Sequence, residues 1–288
     1  MHTKATRSRH RIPTCLYCAL VSMVLMVGCT GHQSPERVTM RLYDGLYDGL
    51  LGYRSSSDKV IELITNDTVS INVESFNGDV IIRGDERREN AIVRISRQAL
   101  HGYGRLDESK ESLEQIDYSI ALRPGELGDH VIDIRTWTEH PEDHYQRAHI
   151  EIDAPALDKV DVRTSNGKVL ITNSRGGVQA HTSYGDIRMM TPWPLVQDVV
   201  LVNKEGDIDF RVRGESDAMI DAETIGGMVR QRCEWGSWRM IDSRNGEDRL
   251  VAQLNEGRHD VLLRTVEGDI RVSIVPDPTN VGTMIIDP

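Results

Sequence analysis

The sequence predicts an all-β fold: a parallel β-solenoid of about 20 residues per coil, with an inserted β layer near its N-terminal end. Three observations predict it. A ten-residue phrase recurs, as SFNGDVIIRG (75–84), TSNGKVLITN (164–173), TSYGDIRMMT (182–191), NKEGDIDFRV (203–212) and TVEGDIRVSI (265–274). Seven glycines centre such phrases, namely Gly78, Gly167, Gly185, Gly206, Gly227, Gly246 and Gly268, and the last six are separated by 18, 21, 21, 19 and 22 residues. Apolar and polar residues alternate on both sides of each glycine, which is the period of a half-buried strand.

Taken in order, residues 1–28 read as a secretory signal. MHTKATRSRHR carries Lys4, Arg7, Arg9 and Arg11 and no acidic residue, and the apolar run CLYCALVSMVLMVG follows it. That run is short for a membrane span. Its end, LMVGC, resembles a bacterial lipobox, with Met26 where Leu is usual. The resemblance implies a lipoprotein signal peptide and a lipidated Cys29 at the start of the mature chain, held in a bilayer by acyl chains. Thr30 follows, in place of the Asp that favours inner-membrane retention. The expected location is therefore the cell envelope, at the outer membrane or periplasmic face rather than the inner membrane. Residues 29–58, with GHQSPE, the tandem LYDGLYDGL and YRSSSD, keep no lasting period and read as a flexible tether.

From residue 59 to 288 the pattern is that of the solenoid domain. Five residues before the seven glycines stand Val73, Val162, Ala180, Leu201, Ala222, Ile241 and Leu263, all apolar. Two after them stand Val80, Val169, Ile187, Ile208, Val229, Asp248 and Ile270, apolar with one exception. Three before them stand Ser75, Thr164, Thr182, Asn203, Thr224, Ser243 and Thr265, on the inward face just where the chain must turn. The inward alternation slips by one residue across the glycine, so the chain has to bend there to keep facing the core. Glycine supplies the positive φ such a corner needs. The small polar column is expected to hydrogen-bond from coil to coil, with Thr182 and Thr224 flanking Asn203, and outward residues such as Arg211 are expected to be solvated.

Residues 85–155 interrupt the period. AIVRISRQ, IDYSIALR, HVIDIRTW and AHIEIDAP read as four inserted strands, and DESKESLEQ (107–115) as a short acidic helix or loop. Such a layer would cap the first coil and cover its edge. Regular coils resume over 156–275, and the proline-bearing tail 276–288 blunts the last edge. Aromatics make up only 5%, so the core rests on Val, Ile and Leu.

The repeated Asn-Gly and Gly-Asp-Ile phrases over about residues 60–275 resemble those of the bacterial putative-adhesin families of unknown function. That resemblance implies an exported or lipid-anchored parallel β-solenoid, and it brings no catalytic residues with it.

Charge and chemistry narrow the function. The formal net charge is −11, and loss of the four basic residues of 1–28 takes it to about −15, which excludes a nucleic-acid binder that needs a basic footprint. Of the four cysteines, Cys15 and Cys18 leave with the signal and Cys29 is acylated, so Cys233 has no disulfide partner and reads as a buried small apolar group. His140, His144 and His149 with Glu139, Glu142 and Asp143 are metal-ligating types, but their spacing fits no established motif, and no metal or other cofactor is expected. Asp79, Asp186, Asp207 and Asp269 follow motif glycines and could stack as a Ca²⁺ column, but Lys168, Met228 and Glu247 interrupt it, and they read as turn formers. Trp235 and Trp238, in the least regular repeat, are the candidate contact residues. There is no Gly-x-Ser-x-Gly elbow and no phosphate-cradling loop, so no residue is assigned a catalytic role.

The expected function is that of a non-enzymatic envelope lipoprotein, a binding or scaffolding module toward an envelope protein or glycan. The alternatives are a polysaccharide-processing enzyme on the same scaffold and a regulatory or sensing partner. A groove with three or more converging ionisable side chains would favour the enzyme, and a smooth face the binder.

Overall fold

The computed structural model of the protein describes residues 52–65, 68–102, 104–125, 129–140 and 145–280. The expectations for the signal segment, Cys29, most of the tether, His144 and residues 281–288 lie outside that range. In chain order the described elements begin with β1 (Gly52–Leu63), β2 (Thr68–Ser75), β3 (Val80–Gly84), β4 (Ala91–Gly102), α1 (Leu106–Glu114), β5 (Asp117–Pro124), β6 (His130–Trp137) and β7 (Gln146–Ala154). The regular half holds β8 (Ala156–Asn166), β9 (Val169–Thr172), β10 (Val178–Tyr184), β11 (Ile187–Met190), β12 (Val199–Glu205) and β13 (Ile208–Val212). It ends with β14 (Ala218–Thr224), β15 (Val229–Cys233), β16 (Trp238–Met240), β17 (Arg249–Leu254), β18 (His259–Thr265) and β19 (Ile270–Ile274). β1 starts at Gly52, inside the stretch read as tether.

The fold is the predicted all-β, largely parallel solenoid. Each coil places one strand in a ten-stranded sheet, sheet B, turns at a corner, and places the next strand in a nine-stranded sheet, sheet A. The inward residues of both sheets share one core, with Ile71, Val160, Val178, Val199, Val261 and Ile220 in register on successive strands of sheet B. Phe210 and a run of isoleucines are its largest fully buried side chains. Burial of each such side chain contributes roughly 1.5–3 kcal/mol, and stacking turns several marginal coils into one stable body.

The coils do not stack in the order of the sequence. Across the two sheets the order is β6/β7, β2/β3, β8/β9, β10/β11, β12/β13, β18/β19 and β14/β15. The last coil of the sequence lies between the two that precede it. After β15 the chain forms the antiparallel strands β16 and β17, which cover β14, and then returns to fill the gap beside β12. Gly246 belongs to the connection between β16 and β17 and marks no coil, which corrects its place in the seven-glycine series.

The insertion also does more than cap. β6 and β7 form a parallel coil of their own, in register with β2 and β3. The antiparallel strands β4 and β1 extend sheet A beyond it, and β5 extends sheet B. The acidic stretch is the helix α1, pinned to β4 and β1 by the Ser109 hydroxyl, which donates to the Ala99 carbonyl at 2.9 Å and accepts the Ser55 N–H at 3.1 Å. Arg211 faces outward as its parity demands, yet it is buried, with its guanidinium bidentate on Asp209 at 2.9 and 2.7 Å.

Candidate binding groove beside the corner

The corner sets the geometry of everything near it. Gly78, Gly167, Gly185, Gly206 and Gly268 have φ between +122° and +145°. Each also lies against the neighbouring coil so closely that a Cβ would overlap a backbone carbonyl, as Gly206 does with Gly185. Gly227 lacks the positive φ but not the crowding, since its Cβ would overlap the Gly268 carbonyl oxygen. Two constraints, backbone conformation and close approach, therefore act on one position.

The polar column is buried at six of its seven positions, Ser243 beside Gly246 being exposed, and its coil-to-coil bonds go to backbone carbonyls. Asn203 Nδ2 donates to the Gly185 carbonyl at 3.1 Å, Thr265 Oγ1 to that of Gly206 at 3.1 Å, and Thr224 Oγ1 to that of Gly268 at 2.8 Å. Each side chain thus satisfies the corner carbonyl of the coil beside it. Asn203 neighbours Thr182 on one side and the coil of Thr265 on the other, so Thr224 lies one coil further than expected. Thr136 of β6 extends the column without a glycine phrase, its hydroxyl 3.0 Å from that of Ser75.

The aspartates after the glycines form a second ladder. Asp79 accepts the Lys168 N–H at 2.9 Å, Asp186 that of Asp207 at 3.1 Å, Asp207 that of Asp269 at 2.9 Å, and Asp269 that of Met228 at 3.0 Å. In the β6/β7 coil His149 takes the equivalent place, and its Nδ1 accepts the Asp79 N–H at 3.1 Å. Only a neutral ring can accept at that nitrogen. Burial pushes the His149 imidazole below its usual value against the pull of the Asp79 carboxylate, and Arg147 and Arg54 push the same way as burial.

The outward residues beside this corner line a shallow groove of about 390 Å³ across β2, β8, β10 and β12. Register places Glu74, Arg163, His181 and Val202 on adjacent strands, with Ser165, Ser183 and Lys204 one step nearer the corner. Glu74 is held by Arg135 at 3.3 Å and Arg163 by Asp161 at 3.4 Å. Lys204 donates to the Tyr184 hydroxyl at 3.3 Å and lies 5.3 Å from its ring centre, and that hydrogen bond raises the ammonium pKa and keeps it charged. The groove thus offers hydroxyls, three basic groups and one carboxylate on a fixed lattice of paired strands, with a repeat of about 4.8 Å.

The residues singled out from the sequence lie elsewhere. Trp238 packs half-buried against the core, whereas Trp235 is 56% exposed after β15. Cys233 is exposed rather than buried, because β15 is the last strand of its sheet, and its thiol pKa is raised by desolvation. His140 is exposed, and His149 is committed to the backbone. Among the described residues no three His, Cys, Asp or Glu side chains are grouped to hold a metal. Sequence reasoning missed Arg163, His181 and Lys204, since their only signal is outward parity just before a corner, which many polar residues share.

Residues 142–273 match the family model described as Toastrack DUF4097. A crystal structure described as a putative cell adhesion protein from Clostridium sporogenes aligns with a TM-score of 0.52 and 12% identity over 77% of this chain and 100% of that one. A structure described as a putative adhesin from Bacteroides fragilis aligns with a TM-score of 0.30 and 9% identity over 76% of this chain and 97% of that one. No curated protein matches the chain. The family match and the first structure support the resemblance to the bacterial putative-adhesin family of unknown function.

Proposed function

We propose that the protein is an exported, lipid-anchored module of the cell envelope that acts by binding or scaffolding, with the groove beside the corner as its contact surface. The observation that carries this reading is the array of Arg163, His181 and Lys204 with Ser165 and Ser183 on strands locked together by the corner ladders. A rigid array of hydroxyls and cations fits an extended, acid-bearing envelope polymer, because little ordering is lost on binding. The fold shared with a protein described as a putative cell adhesion protein is in keeping with such a role. The anchor itself would be Cys29, with the chain held at the outer membrane or periplasmic face.

One observation favours the enzymatic alternative, namely that Glu74, Arg163, His181 and Lys204 are four ionisable residues in one groove. Against a hydrolase, glycoside hydrolysis uses a pair of carboxyl groups, and the groove holds only Glu74, already engaged by Arg135. The deciding experiment immobilises the mature chain and offers it envelope glycan and envelope protein fractions separately. Saturable retention from one fraction is expected, and it should fall at least about tenfold in the double variant Arg163→Ala, Lys204→Ala while the urea midpoint stays put. Retention of neither fraction, or equal retention by the variant, would rule the groove out. Release of shorter glycans by the wild type would favour the enzyme.

A further inference from the structure

The two ends of the solenoid are finished differently. At one end the antiparallel strands β4 and β1 and the helix α1 extend and cover sheet A, and β5 covers sheet B. At the other end β17 and β16 cover sheet B alone, and β15 is left as the last strand of sheet A. Its inward positions show the consequence. Val229, Gln231 and Cys233 stand in register with the buried Ile270, Val272 and Ile274, yet Val229 is only half-buried and the other two are exposed. A cavity of about 170 Å³ opens beside them, with Val229, Met240 and Leu250 as its apolar lining and Gln231, Asn245 and Arg249 as its polar lining. Ile225 at 78%, Met240 and Ile241 add exposed apolar surface at the same end.

The backbone of β15 is equally unfinished. β15 bonds β19 through Met228 and Glu234, so by the alternation of a parallel ladder Arg230 and Arg232 also face β19. The N–H and C=O of Gln231 and Cys233 then point to the open side. The Val229 N–H also points there and is taken by the Glu247 carbonyl at 2.6 Å. Natural edge strands are usually blunted, and one that is not is a template for another strand.

Charge decides what kind of strand fits. The outward residues of β15 are Arg230 and Arg232, and Arg271 stands beside Arg230 on β19. Arg232 is paired with Glu234, and Arg271 lies 3.9 Å from Asp207. Arg230 reaches Asp269 only at 3.7 Å through Nη2, and its Nη1 has no hydrogen-bond partner. Any two-fold antiparallel pairing of β15 with a second copy, centred anywhere from Arg230 to Arg232, sets an arginine opposite an arginine. Like charges directly opposite destabilise a strand pair. An incoming strand needs acidic residues on the outward side and apolar residues on the inward side, where they would enter the cavity against Val229 and Leu250.

We propose that the β15 edge is a docking site for an extended segment of a partner protein in which apolar and acidic residues alternate. It is added to sheet A as a further strand, separately from the groove on sheet B. The test uses the full mature chain and two fluorescein-labelled peptides, one of alternating valine and glutamate and one of alternating valine and lysine. The glutamate peptide should bind saturably and the lysine peptide at least about tenfold more weakly. Gln231→Pro removes an N–H on the open side and none toward β19, so it should abolish binding, while Gln231→Thr should keep it. If the proline variant does not fold, the double variant Arg230→Glu, Arg232→Glu replaces it and should reverse the preference to the lysine peptide. Failure of both peptides to bind, or equal binding of both, would overturn the proposal. So would a dimer in sedimentation that Gln231→Pro dissolves, since it would assign the edge to a second copy. The variant Arg163→Ala, Lys204→Ala should bind the peptide as the wild type does, which keeps this result independent of the groove.

Discussion

The Thr224 hydroxyl donates to the carbonyl of Gly268 at 2.8 Å, although the two residues are 44 positions apart in the chain. The bond exists because the final coil lies beside the coil of Thr224. Thr224 is 2% exposed, so its loss would leave a buried carbonyl without its partner. Thr224→Val should cost about 1–3 kcal/mol in a urea melt with unchanged slope, and Thr224→Ser, which keeps the donor, should recover most of it. A loss in Thr224→Ser with none in Thr224→Val would show that the methyl, not the hydroxyl, matters.

The corner glycines differ sharply from the one glycine of the series that marks no coil. Gly206 has φ +141° and no room for a Cβ, whereas a Cβ on Gly246 would meet nothing nearer than 3.4 Å. Gly206→Ala should lose about 1–3 kcal/mol or more, and Gly246→Ala should stay within about 0.5 kcal/mol. Similar midpoints for the two would contradict the corner geometry.

Stability should also depend on His149. Its folded pKa lies below the ordinary value of 6.5, so the unfolded chain binds the proton more readily than the folded one. The contribution is therefore complete above about pH 6.5 and is lost progressively as pH falls through the folded pKa. His149→Asn keeps a neutral acceptor for the Asp79 N–H and should flatten this part of the profile. A wild-type midpoint that rises on acidification through that window would reverse the sign and refute the assignment.

The stacking order can be tested by truncation. In a solenoid stacked in sequence order, removing the last coil would trim one end. Here a chain ending at Gly257 loses β18 and β19, which separate β12/β13 from β14/β15. It should expose the flanks of Leu201, Phe210 and Ala222 and become protease-sensitive well before residue 218, rather than only at its new terminus.

The proposed targeting rests on one residue, Cys29. Cys29→Ser should leave the chain unacylated and move it out of the membrane fraction. Membrane retention of that variant at unchanged mass would remove the lipid anchor from the proposed function.

How much of this was legible in the sequence depends on how far each feature reaches along the chain. Period-two alternation, the corner glycines and the small polar residue three before them are local. Each repeats because each coil solves the same problem of bending while keeping its apolar residues inward. The sequence by itself therefore determined the solenoid, the inward columns and the buried threonines. It did not determine which coil touches which, because all coils present nearly the same edge, and a pattern shared by every repeat cannot choose a neighbour. That choice fell to tertiary packing, where β16 and β17 cover β14 and send the chain back between β12 and β14. The coil of β6 and β7 was hidden for the complementary reason. It fills its corner with Ala148 and His149 in place of Gly and Asp, so it fits the stack without carrying the phrase. The groove and the open edge of β15 follow from the same physics. Outward residues far apart in sequence become neighbours only through inter-strand register, and an edge is exposed only because no further strand has been laid against it.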